Sequence, residues 1–227
     1  MSDPTRLAAD ARSILACPGE ASLVVEGDQH PLDDDATLSD RRGTPTFVCL
    51  PGSPVLRAAV AGRCAVLSVA SGLGPRDGAE RGDTLALAGR LQQVGVEECD
   101  CCQEVRHLVA LELDAVVLVR GERRLRVPLD GFRSRLHELN RGHLQRSVEH
   151  ANDCHQGELR QAVAHGTGTR PADLLGVRIA RLSPAGVVVQ WVDDTGAHEQ
   201  SIAFAHTARD LADLGDLLRR GLHVGLC

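Results

Sequence analysis

The sequence predicts an α+β fold in which a long antiparallel-strand region is followed by a compact helix, three-strand, helix module. Three observations carry this. Strand-like runs succeed one another from Ala21 to Val127 through turn-rich links with no crossover helix, and strands joined this way pair antiparallel into a barrel or sandwich, because parallel neighbours need long crossovers. From Gly142 the apolar spacing changes to threes and fours, the period of a helix. Beyond it, Ser183-Pro184-Ala185-Gly186 and Asp194-Thr195-Gly196 join three further strand-like runs by hairpin chemistry, which makes them a meander.

The elements follow in order. Asp3 is placed to N-cap a first helix with Pro4 at its first position; Leu7, Ala11, Ile14 and Leu15 share one face, and Pro18 and Gly19 end it. Strands are expected from Ala21 to Val25, Thr46 to Leu50, Cys64 to Ala70, Thr84 to Val94, Glu104 to Leu113, Ala115 to Val119 and Leu125 to Val127, with Pro31 to Gly43 and Ser71 to Gly82 as turns. Leu129 to Leu139 reads as a short helical link. Gly142 to His165 reads as one amphipathic helix with Leu144, Val148, Ala151, Leu159 and Ala162 or Val163 inward. The meander takes Leu174 to Leu182, Val187 to Val192 and Ala197 to Phe204. A last helix opens at Thr207, with Asp210 three residues on, and carries Leu211, Leu214, Leu217 and Leu218 before Gly221. The change of pattern divides the chain into residues 1–135 and 136–227.

Composition removes several chemistries. The 227 residues include no Lys and no Tyr, so all 25 basic residues are Arg, and lysine Schiff bases, a Walker-type phosphate lysine and tyrosine acids are excluded. A formal charge of -6, with three Phe and one Trp, argues against nucleic acid as a partner. The apolar runs are too short for a membrane span, and Asp3, Arg6 and Asp10 interrupt the stretch an export signal needs, so a cytoplasmic protein is expected. The eight Cys then fit a reducing compartment. No GxSxG elbow or HExxH helix is present, and SVASGLGPRDG lacks both the GxGxxG spacing and the following helix of a dinucleotide site.

HLQRSVEHANDCHQ, ADLLGVRIARLSPAGVVVQ and SIAFAHTARDLADLGDLLRRGL resemble, in order, the module that closes the haem-utilisation (HugZ-like) FMN-binding split-barrel proteins. DTLALAGRLQQV resembles the barrel strand with a central glycine, and LRVPLDGFRSRLHEL the segment joining barrel to module. The resemblance implies an antiparallel split β-barrel followed by a small αβββα module. It also implies a homodimer, with haem held between barrel and module. An FMN-dependent oxidoreductase of the pyridoxamine-phosphate-oxidase-like kind and a cofactor-free regulatory module are the alternatives.

The candidate residues divide accordingly. For flavin phosphate, the resemblance leaves Ser53 and Arg57, with Arg63 before the next strand as a further bidentate donor; the alternative is an exposed Arg on a turn. For haem, it points to His223 just beyond the last helix, which otherwise is a solvated chain end. His143 and His150 lie two helical turns apart and share a face with Cys154, as ligands or as a polar edge. His155 falls in the apolar stripe and is expected to face the module's core. Cys99 and Cys102 have the two-residue spacing of thiolates on one metal ion, with His107 beyond them, and the alternative is a surface hairpin with incidental thiols.

Overall fold

The computed structural model describes residues 3–26, 28–32, 36–75, 78–98 and 105–224. The chain divides into two compact units, Met1–Gly142 and His143–Cys227.

The first unit opens with α1 (Pro4–Ala16). Its cap is the one expected, with the Thr5 N–H donating to Asp3 Oδ1 at 3.0 Å. There follow β1 (Pro18–Val25), β2 (Asp28–Pro31), β3 (Ala36–Arg41), β4 (Thr44–Cys49), α2 (Pro54–Val60), β5 (Cys64–Ser71), β6 (Thr84–Glu98), β7 (Val105–Arg120), β8 (Arg123–Val127) and α3 (Leu129–Phe132). All the pairings are antiparallel, in the order β2-β1-β5-β6-β7-β4-β3, with β8 also on β7. The segment 31–43, expected as turns, therefore supplies the whole of β3, and the two strands expected from Glu104 to Val119 are one. Along its second edge β7 serves two neighbours: residues 107–110 pair with β4, and residues 116–120 with β8. This is a large antiparallel sheet, and no ladder among the described residues closes it into a barrel.

The long β6–β7 ladder is not continuous. The ladder to β7 shifts register between Ala88 and Gly89, and a Cβ on Gly89 would lie 1.9 Å from the Glu112 carbonyl oxygen. Only glycine admits that approach. The apolar faces of β1, β5, β6 and β7 close a core with α1, α2 and Phe132, in which Phe47, Leu67, Leu87, Leu91 and Leu111 are fully buried.

The second unit comprises α4 (Arg141–Cys154, from the junction onward), α5 (Gln156–Thr167), β9 (Gly176–Ser183), β10 (Gly186–Asp193), β11 (Gly196–Ala203) and α6 (Leu211–Val224). The meander is as expected, with β10 central. Two expectations are corrected. The helix read as continuous from Gly142 to His165 is two helices broken at His155, where φ is -118° and ψ 31°. The last helix begins after Asp210, whose Oδ1 accepts the Asp213 N–H at 2.9 Å as an N-cap, and it runs past Gly221 to Val224. Val187, Val189, Trp191, Ile179 and Ile202 on the sheet pack with Leu159, Val163 and Leu218 from the helices as the unit's core.

Candidate functional site

The break at His155 creates the site. Asn152, Asp153, Cys154 and His155 are all weak helix formers, and Gly157 follows them. Asn152 is held elsewhere: its Nδ2 donates to the Ile179 carbonyl at 3.0 Å, and its Oδ1 accepts the Ile179 N–H at 2.8 Å. The side-chain amide thereby fills the edge of β9 as another strand would, where the β9–β10 ladder shifts register. With the end of α4 so anchored, the helix is interrupted at His155 and α5 starts afresh at Gln156. His150 and His155 then meet, Nε2 to Nε2 at 3.2 Å, with their rings edge to face at 78° and centroids 5.0 Å apart. His155 Nδ1 lies 3.5 Å from Glu158 Oε1.

Both histidines stand on the rim of a groove of about 680 Å³ built entirely from the second unit. Ala151, Leu159, Ala162, Leu211, Leu214 and Leu218 line its walls; Glu158, Gln161, His165 and Arg219 add polar groups, and Gly215 opens its α6 side. Volume and lining match a small-molecule site: mostly aliphatic, with a few convergent polar groups.

His155 is therefore corrected from a core residue to a rim residue, its side chain 48% exposed. His150 lines the groove, and His143, two turns earlier on α4, does not. Cys154 is exposed. His223 falls in the last turn of α6 rather than beyond it, and its side chain lies outside the described residues.

The flavin candidates sit in the first unit with local partners. Ser53 Oγ caps α2 by accepting the Leu56 N–H at 3.2 Å. Arg57 donates to the Gly52 carbonyl, and Arg63 Nη1 reaches both oxygens of Glu26 at 2.7 and 2.8 Å. Helix α2 is an addition to the expected elements, although Ser53-Pro54, a cap followed by proline at the first position, signals it. Of the thiol cluster, Cys99 and Cys102 lie outside the described residues. His107 is half-buried on β7, its Nδ1 3.0 Å from Gln93 Nε2. No group of three or more metal-ligating side chains occurs among the described residues. No described helix is long and apolar enough to cross a membrane.

No family model matches the chain. No curated protein matches it either. Among solved structures, it is similar to a heme binding protein from Mycobacterium smegmatis at 15% identity and a TM-score of 0.47, over 100% of this chain and 98% of that one. A protein of unknown function from Agrobacterium tumefaciens gives 17% identity and 0.41 over 98% and 97% of the two chains. The PlzA protein of Borreliella burgdorferi, solved in complex with c-di-GMP, gives 7% and 0.35 over 96% and 100%.

Proposed function

We propose that the chain binds haem in the groove of its second unit. The observation that carries the reading is an aliphatic groove of about 680 Å³ with an imidazole pair on one rim and a guanidinium on its lining. A haem needs apolar surfaces for its macrocycle, an axial donor for its iron and a cation for its propionates. Leu211, Leu214, Leu218 and Ala162 supply the first, one of His150 and His155 the second, and Arg219 the third. Bound there, the group would contribute its iron as a centre for ligand or electron exchange. The protein's own part is to exclude water with the leucines and to fix one imidazole through its neighbour.

Gly215 provides the test. A Cβ at this position meets nothing within 4 Å, so Gly215→Leu fits the helix while filling the groove. Removing a glycine from a helix interior also stabilises it, by about 0.5–1 kcal/mol. Hemin titrated into the wild type should give a shifted Soret band, which Gly215→Leu abolishes without lowering Tm and which the His150→Ala, His155→Ala double variant alters. Uptake unchanged in a well-folded Gly215→Leu protein would exclude the groove. A yellow protein whose colour depends on Arg57 or Arg63 would transfer the reading to flavin.

A further inference from the structure

We infer that His150 and His155 together form a binding site for a single divalent transition-metal ion, of the borderline kind that imidazole prefers, at the break between α4 and α5. The separation of the two nitrogens carries it. Two adjacent ligands on a tetrahedral ion with metal–nitrogen bonds of about 2.0–2.1 Å lie about 3.3–3.4 Å apart. The Nε2 atoms of His150 and His155 are 3.2 Å apart. Trans ligands on one metal, as across a haem, would stand at twice the bond length, about 4 Å. The pair is thus spaced for one small ion held from one side, so this inference goes beyond the haem reading, which needs only one imidazole.

The surroundings suit metal binding. Glu158 lies against His155 Nδ1, so a proton on Nδ1 is donated to the carboxylate and the lone pair is left on Nε2, toward His150. Carboxylate partners of this kind orient metal-bound imidazoles and raise their basicity. Both histidines belong to one short stretch of chain, and the Asn152 clamp on Ile179 holds that stretch to the sheet. The site is accessible, because the His155 and Glu158 side chains are 48% and 72% exposed. With no third protein donor among the described residues, the remaining positions fall to water or to an anionic group of a molecule in the groove. Imidazole donors select zinc, copper, nickel or cobalt over magnesium and calcium.

The test is titration of the full-length protein with Co²⁺, whose visible bands report the ligand set and whose thiolate charge-transfer absorption would expose cysteine ligation. The expected result is one equivalent bound with d–d bands and no thiolate band. Affinity should fall at least tenfold in His150→Ala and in His155→Ala and be unchanged in His206→Ala, whose imidazole lies off the groove beside Asp213. Glu158→Gln should weaken it by about tenfold, the lower end of the effect of losing an outer partner. Circular dichroism checks that each variant is folded. Binding that survives both single variants, or that carries a thiolate band, overturns the inference. Hemin uptake measured on the same proteins separates the two ideas: hemin uptake intact in Gly215→Leu with Co²⁺ binding retained strikes the groove as the haem site alone, while hemin uptake by the wild type without Co²⁺ binding strikes the metal pair alone.

Discussion

Arg12 is the most consequential single residue of the first unit. It rises from α1 into the core, where its side chain is 1% exposed and that of Asp40 is 0%. Nε and Nη2 both reach Asp40 Oδ2, at 3.0 and 2.9 Å, and Nη1 donates to the Phe132 carbonyl at 2.9 Å. The second Asp40 oxygen accepts the Gly43 N–H at 2.6 Å, in a turn where Gly43 has φ +85°. A buried ion pair adds little beyond what well-packed apolar residues would, but one stranded partner is costly. Arg12→Met or Asp40→Asn alone should therefore destabilise the unit by about 3–5 kcal/mol in urea unfolding, and the double variant Arg12→Met, Asp40→Leu should recover much of it. Equal losses in single and double variants would deny the coupling. In the second unit the comparable residue is Asn152, whose removal leaves the Ile179 N–H and carbonyl without the side-chain partner they have at the edge of β9. Asn152→Ala should cost about 1–3 kcal/mol for a buried group so stranded and disturb the histidine pair with it, which Co²⁺ titration reads directly.

At the scale of elements, two glycines of one strand make opposite predictions. A Cβ on Gly89 would lie 1.9 Å from the Glu112 carbonyl oxygen, whereas on Gly95 it would meet Leu108 Cδ1 at an ordinary 3.5 Å. Gly89→Ala should destabilise by about 1–3 kcal/mol through forced backbone movement, and Gly95→Ala by under about 0.5 kcal/mol. Similar midpoints for the two would mean that the bulge is not held by close approach. Elements of this kind were legible in part. Caps and hairpin links are local chemistry, so α1 and the meander could be read from Asp3-Pro4 and Ser183 to Gly186, whereas α6, expected to open at Thr207, starts only after its Asp210 cap. The site could not, because it depends on a break. On a continuous helix, residues five apart are rotated about 500°, or 140° around the axis, and His150 and His155 would never meet. The stripe containing Leu159 favoured continuity and placed His155 in the core. What turned the chain instead was Asn152 pairing with Ile179, a contact 27 residues distant that no local spacing announces.

At the scale of the whole molecule, the distribution of aromatic residues makes one unit separately observable. The chain has one Trp and no Tyr, and Trp191 is buried in the second unit's core, stacked on His198 with ring centroids 5.2 Å apart. Tryptophan emission therefore reports the second unit within the intact protein. Two carboxylates of that unit sit well below their usual range. Hydrogen bonds from Thr195 and then His198 lower Asp193 from 3.8 to about 2, and the Arg209 backbone N–H, helped by His206, does the same for Asp213. Because the folded values are depressed, each group contributes stability that is fully present above pH 3.8, the unfolded value, and lost as the pH falls through about 2. Both carboxylates lie at the surface, partly covered by their partners, and solvent there screens the size of the effect without changing its sign. Urea midpoints followed by Trp191 emission should decline across that window in the wild type. In an Asp193→Asn, Asp213→Asn protein the midpoint should be lower at neutral pH and the decline shallower, because the groups that would take up protons on unfolding are gone. Parallel curves for the two proteins would place the acid sensitivity of this unit in other carboxylates and leave the Asp193 and Asp213 hydrogen bonds with no part in it.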